Sequence, residues 1–303
     1  MLKWCIISDM NYEDPLFLVN PRENCPHCQG RKPAVKKCPS CDKSGYKPIN
    51  MSGLWNNTAG FLVCGGPSVN ELPLDKLKER GIVSLAVNNV AAHVPVKAWC
   101  FSDPHEKFHH GLYLDPSVMT FAPTPKLGRK IRVKENGEFK FSNTKIKDCP
   151  NTFGFPRKTS LYPDKFLKTY YAQWGHGGKQ PENEREFTCL CTMLIGIRLM
   201  AYLGCNRIFT LGVDFWRGEE EQYAFGQKAS RVNGRYKKEN KMLSNIRPHL
   251  EENGIKVYNC NLNSKCDAFE FVTFENAFEI CKNNIQEPFD LSGWYEKEGG
   301  TKK

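Results

Sequence analysis

Four cysteines stand in two pairs, Cys25-Pro-His-Cys28 and Cys38-Pro-Ser-Cys41, with nine residues between the pairs. Two CxxC knuckles at this separation can deliver four thiolates to one tetrahedral ion, and zinc is the metal such sulfur sites hold. Four sulfur ligands leave no open position, so the predicted ion is structural. Residues 21–48 are polar, with glycine or proline in each knuckle, and offer too few apolar side chains to fold without a clip. Redox dithiols or loose thiols are the other chemistry open to this spacing. His27, inside the first pair, is a poorer ligand than the sulfurs. The remaining ten of the 14 cysteines are scattered. Among them Cys64, Cys100, Cys205 and Cys260 lie in or beside apolar runs, where cysteine acts as a small hydrophobe.

A second set of chemically capable residues follows short apolar runs. Gly65-Gly66-Pro67-Ser68 can bring backbone amides and a hydroxyl to a phosphate or ribose, or can be a plain turn with Ser68 as a cap. Asn88 and Asn89 can present amides to a nucleotide, or serve turn chemistry. Asp103 can accept ribose hydroxyls or a proton, or form an Asx-turn before Pro104. His105, His109 and His110 share its loop and could shuttle protons or bind metal; solvated loop histidines fit His109 and His110. Thr188, Cys189, Cys191 and Thr192 open a helix whose N-terminal amides suit an anion, or simply bury their thiols. Asp214 ends another apolar run. Trp216 and Tyr223 flank Arg217–Glu221 and either bracket a phosphate or pack at a sheet edge. The loop Tyr170–Lys179 mixes aromatics, glycines and a cation, as a lid over a sugar or base would. No DxD carboxylate pair occurs, so no divalent metal is expected on a donor phosphate.

The elements that must position these residues alternate between strand and helix. Residues 1–20 read as a strand pair, Leu2–Ile7 and Leu16–Val19, and residues 21–48 as the zinc module. From residue 49 to 285 runs one larger domain. Its strands are Gly60–Cys64, Ile82–Val87, Ala98–Phe101, Arg207–Leu211 and Lys256–Cys260. Its helices are Asn70–Arg80, about 187–203 with Gly204 as the cap, Asn240–Glu252 and Phe274–Asn283. Residues 105–185 read as an irregular insertion or lid with a hairpin at Ile131–Phe141 around Asn136-Gly137. Residues 286–303 form a tail. Strands separated by helices predict an α/β fold with a mostly parallel sheet covered by helices on both faces. In such sheets ligands bind at the carboxyl ends of the strands, where Gly65, Gly66, Asn88, Asp103 and Asp214 all fall.

Hydrophobic residues make up 40% and charged residues 25% of the chain, which excludes a disordered protein. The longest apolar runs fall short of the about 20 residues a membrane span needs, and no signal peptide is legible, so a cytoplasmic location is expected. The formal charge of +10 favours polyanionic partners or is a merely soluble basic surface.

Several pieces taken together resemble the small metal-independent bacterial sialyltransferases and their phage-encoded relatives. They are Cys64-Gly65-Gly66-Pro67-Ser68, Asn88, Ser102-Asp103-Pro104, Thr192 through Gly204, Leu211–Trp216, Gln222–Phe225, Ile255–Cys260 and Asn263-Ser264. The resemblance covers less than half the chain and leaves out the zinc module. It implies a Rossmann-like glycosyltransferase fold with a nucleotide-sugar over the strand ends and transfer that inverts the anomeric centre. Ser68, Asn88 and Thr192 would then hold the donor, Tyr223 would steady the departing phosphate, and Trp216 would stand where the family has a second tyrosine. Gly65 and Asp103 replace expected asparagines, and the family's histidine base has no counterpart around Arg235-Tyr236-Lys237. Asp103 and then His105 are the bases this sequence offers. The acceptor expected is a hydroxymethylated base in phage DNA, in the host cytoplasm. A cell-surface glycan, or a non-catalytic nucleotide- or DNA-binding phage protein, are the competing readings.

Overall fold

The computed structural model describes residues 18–30, 38, 44–155, 163, 166–167, 191–216, 223–226 and 233–284. Its strands are β1 Leu18–Asn24, β2 Tyr46–Ile49, β3 Thr58–Val63, β4 Val83–Val87, β5 Ala98–Cys100 and β6 Met119–Pro123, followed by β7 Lys130–Glu135, β8 Glu138–Lys145, β9 Thr152–Phe155, β10 Cys205–Leu211, β11 Lys256–Asn259 and β12 Glu270–Phe271. The α-helices are α1 His110–Leu114, α2 Thr192–Leu203, α3 Asn233–Glu252 and α4 Phe274–Asn283. Ten strands form one sheet in the order β12-β11-β10-β3-β4-β5-β6-β9-β1-β2. Every pairing from β12 to β9 is parallel, and β1 runs antiparallel to both β9 and β2.

All six residues of β3, Thr-Ala-Gly-Phe-Leu-Val, are buried, as a central parallel strand requires. Their side chains alternate between two apolar clusters. Leu62 joins Leu85, Cys100 and Phe121 with Leu194, Ile197 and Met200 of α2 and Leu243 and Ile246 of α3. Phe61 and Val63 join Ala86 and Trp99 with Phe274, Ala277 and Phe278 of α4. The Phe61 ring lies 5.5 Å from that of Phe274. Within α2 every residue but Ala201 is buried, Thr192 and Arg198 included, so protein surrounds this mostly apolar helix. Gly204 ends it in the left-handed conformation, φ 111°, as expected of the cap.

From β3 the chain steps one way through β4, β5 and β6, and β10, β11 and β12 lie on the other side. The strand order therefore reverses between β3 and β10, which is the topological switch point.

Four expectations change. The helix expected at Asn70–Arg80 is a pair of 3-10 turns, Pro67–Glu71 and Leu74–Lys78. Pro73 separates them, because it lacks an N–H and forces Leu72 to an extended ψ of 148°. The segment read as an irregular insertion supplies β6 and β9 to the main sheet. These strands are short and lie next to prolines, so they carry too few alternating positions to stand out. β1 continues to Asn24 and takes β2 and β9 as partners, and Leu2–Ile7 lies outside the described residues. Helix α3 starts at Asn233, about two turns ahead of the expected Asn240.

Candidate functional site

At the switch point, the turns after β3 and β10 are stitched together. Cys64 donates its N–H to the Leu211 carbonyl and Gly66 to that of Gly212, both at 2.8 Å. Gly212 has φ +66°, and a Cβ there would strike the Cys64 carbonyl oxygen. A Cβ on Gly66 would lie 2.5 Å from the Gly212 oxygen and 2.6 Å from Asp214 Oδ2. Two glycines are thus required for the turns to approach this closely.

Asp214 uses that proximity. Its Oδ2 accepts the Ser68 N–H at 3.0 Å. Its Oδ1 accepts the Ser68 hydroxyl and Asn261 Nδ2, the latter at 2.7 Å. The Asp214 carbonyl accepts the Lys265 N–H at 2.8 Å. A carboxylate at the start of the Pro67–Glu71 turn thus caps the turn from across the sheet, and Ser68 serves as its donor.

A second polar group lies one and two strands further along the same edge. Asn88, at φ +50°, follows β4 directly. Its Oδ1 accepts the Ser102 N–H at 3.1 Å, and its Nδ2 donates to Thr192 Oγ1 at 3.1 Å. The hydroxyls of Ser102 and Thr192 are 2.7 Å apart. The Asn88 carbonyl accepts Trp99 Nε1 at 2.8 Å. Ser102 and Thr192 are 3% and 5% exposed, so this triad is a satisfied buried network joining β4, β5 and the first residue of α2.

Around the end of β5 the site is basic. Lys126 Nζ donates to the Ser102 carbonyl at 2.6 Å and to that of Asp103, and lies 5.6 Å over the Phe101 ring. Asp103, which follows Ser102, is half-buried and meets that ammonium through its backbone carbonyl. His105 Nδ1 lies 2.8 Å from Glu106 Oε2, and the His105 side chain is 14% exposed. Burial pushes its pKa below the ordinary imidazole range; Glu106 opposes this, as does a hydrogen bond to the Lys130 backbone, while Lys126 and Arg129 add to it. A ring so placed is neutral near pH 7 and can accept a proton.

Tyr223 is half-buried beside Ala224, whose N–H donates to the Gly65 carbonyl at 3.0 Å. The Tyr223 hydroxyl accepts that of Tyr236 at 3.5 Å, and Tyr236 stacks on Phe215 at 5.5 Å. Trp216 is 49% exposed. Arg217–Gln222, Thr188, Cys189 and the loop Tyr170–Lys179 lie outside the described residues. The expected set therefore falls into two hydrogen-bonded groups on adjoining strands, Gly65, Gly66, Ser68 and Asp214 in one, Asn88 and Thr192 in the other. Asp103 and His105 stand beside the second, and Tyr223 beside the first. Ser102, Lys126 and Asn261 were missed. Each reaches the site through tertiary contacts, and only Ser102 lay in a quoted motif.

Three of the four paired cysteines form a separate cluster. Cys25, Cys28 and Cys38 are buried, with sulfurs all within 4.8 Å of one another. Cys25 and Cys38 sulfurs are 3.7 Å apart, too far for a disulfide and close to the ~3.8 Å that two thiolates at ~2.3 Å subtend on a tetrahedral ion. Cys41 lies outside the described residues. Asn24, the last residue of β1, pairs with Tyr46, the first of β2, and Cys25 N–H donates to the Gly45 carbonyl at 2.9 Å. The three cysteines thus sit in the loop of the β1–β2 hairpin at one end of the sheet and can hold a metal ion there.

The described cysteines outside this cluster are buried and free of disulfides. Burial pushes the thiols of Cys205, Cys260 and Cys266 up to about 12, which suits packing rather than nucleophilic chemistry. No helix of the described residues is long and apolar enough to cross a membrane. Comparison of the chain with protein-family models, with curated proteins and with solved structures found no match in any of the three.

Proposed function

We propose that the chain is an inverting, metal-independent glycosyltransferase on a Rossmann-like scaffold with helices on both faces, moving a sugar from a nucleotide-sugar to a hydroxyl acceptor. The observation that carries this reading is the gathering of two polar groups on adjoining strand ends, Ser68 with Asp214 at the switch point and Asn88 with Thr192 beside it. Sheets of this kind take nucleotides there.

In this reading the Gly66-Pro67-Ser68 turn and the Asn88 amide hold the nucleotide and its sugar. Asp214 positions the turn. Asp103 or His105 takes the proton of the acceptor hydroxyl as its oxygen attacks the anomeric carbon, and the bond from that carbon to the donor phosphate breaks. Lys126, Tyr223 and Trp216 supply electrostatic and hydrogen-bond support to the charge that develops. The ion held by Cys25, Cys28, Cys38 and Cys41 is zinc, in a structural role, in a protein of the cytoplasm. The acceptor is DNA carrying a hydroxymethylated base, consistent with the net positive charge.

One observation favours a second reading, nucleotide or DNA binding without chemistry: both Ser68 donors are already engaged by Asp214. Mass spectrometry of nucleosides from hydroxymethylated DNA, incubated with the protein and mixed nucleotide-sugars, separates the two. A nucleoside heavier by one sugar residue is expected. Unchanged nucleosides, with DNA still bound, would leave the second reading.

A further inference from the structure

Among the described residues, strands β7 and β8 pair only with each other, as a two-stranded sheet apart from the main one. Asn136 and Gly137 join them at φ 50° and 87°, the left-handed pair that a tight hairpin turn needs. Register decides which side chains share a face. Arg132 is opposite Phe141 and Lys134 opposite Phe139, whereas Glu135 is opposite Glu138 and Val133 opposite Lys140. Since directly opposed residues and alternate positions share a face, one face carries Arg132, Lys134, Phe139 and Phe141. Both carboxylates lie on the other.

Phe139 and Phe141 are 51% and 61% exposed. The Arg132 guanidinium lies 4.2 Å and the Lys134 ammonium 5.8 Å from the Phe139 ring centre. The Phe141 ring lies 6.5 Å from that of His105, so the face continues into the basic strand-end region. Two exposed rings beside cations, with the hairpin's own carboxylates on the opposite face and Glu106 the acidic group whose charge reaches Arg132, match a ligand that is flat, apolar and anionic at once. Nucleobases on a phosphate backbone have that chemistry. Alternate residues on a strand are about 6.8 Å apart, twice the about 3.4 Å rise of stacked bases. The rings therefore suit bases separated from one another, and a duplex does not offer these.

We infer that this hairpin face binds single-stranded nucleic acid, with bases stacked on Phe139 and Phe141 and phosphates paired with Arg132 and Lys134. The inference shares the nucleic-acid partner with the proposed function but does not depend on sugar transfer, so a binding assay tests it separately. Fluorescence anisotropy of the full, metal-loaded chain would compare a labelled oligothymidine with a duplex, using heparin as competitor. The single strand is expected to bind more tightly than the duplex. Phe139→Leu with Phe141→Leu should weaken it about tenfold or more, with the salt dependence unchanged, and Phe139→Trp with Phe141→Trp should retain it, which guards against a folding defect. Arg132→Gln with Lys134→Gln should lower the slope of log K against log salt by about 1.4. The inference is overturned if the wild type does not bind the oligonucleotide, if duplex or heparin binds as well, or if the leucine pair binds like the wild type. Binding that survives while no donor is turned over would sink sugar transfer and leave this surface standing.

Discussion

Replacing Asp214 with asparagine should unlatch the switch point. The carboxylate accepts the Ser68 N–H, the Ser68 hydroxyl and Asn261 Nδ2. An amide can accept on one side only. Its better orientation keeps the oxygen where Ser68 Oγ and Asn261 converge, and turns the NH2 against the Ser68 N–H. One charge-assisted bond is then lost, and two fall from charged to neutral strength. Hydrogen bonds to charged groups contribute about 1.5–3 kcal/mol and neutral ones about 0.5–1.5, which puts the gross loss at about 3.5–6 kcal/mol. Asp214 is half-buried, and water recovers part of that, so about 2–4 kcal/mol is expected. Urea denaturation followed by far-UV circular dichroism measures it, and amide exchange should show the Gly66–Ser68 turn opening first. Stability within about 0.5 kcal/mol of wild type, inside the range of ordinary surface substitutions, would refute the claim that this carboxylate holds the two turns together.

Thr192→Val keeps shape but removes the hydroxyl that serves Asn88 and Ser102; it should cost about 1–3 kcal/mol in the same assay, and a neutral result would mean the triad is not a network. Metal analysis of the purified chain should give one zinc per chain, and chelation should expose the amides of β1 and β2 to exchange first; a metal-free chain with protected β1 and β2 would contradict the clip. For His105, whose folded pKa lies below the unfolded value of about 6.5, the unfolded chain takes up a proton that the folded chain refuses. Stability should therefore fall as pH drops below about 6.5, with His105→Gln flattening that slope; an unchanged slope in the variant would place the ring in ordinary solvent.

How far the sequence discloses this depends on how local each signal is. β3 and β4 were legible because strands buried on both faces read as apolar runs, Phe61-Leu62-Val63 and Leu85-Ala86-Val87, bounded by glycine or asparagine. α4 was legible end to end because Thr273 accepts the Asn276 N–H as its cap and the apolar positions recur at helical spacing. β6 and β9 were missed because four or five residues beside proline hold too little pattern. Asn88 and Thr192 could each be named as polar residues at element ends. Their hydrogen bond could not be foreseen across 104 positions, nor could Lys126 reaching back to Ser102, because only the stacking order of the sheet brings those ends together. The CxxC spacing disclosed the cysteine cluster that can hold a metal ion. That it occupies a hairpin loop became visible only once β1 and β2 paired.

The central claim, that these strand ends hold a nucleotide-sugar and break its phosphate bond, is met most directly by measuring nucleotide release from a panel of nucleotide-sugars, with no divalent metal added. At least one donor should be turned over by the wild type, and Asn88→Ala should lower that rate about tenfold or more, the loss of one or two transition-state hydrogen bonds. A folded, zinc-loaded protein that neither binds nor cleaves any donor would contradict the account.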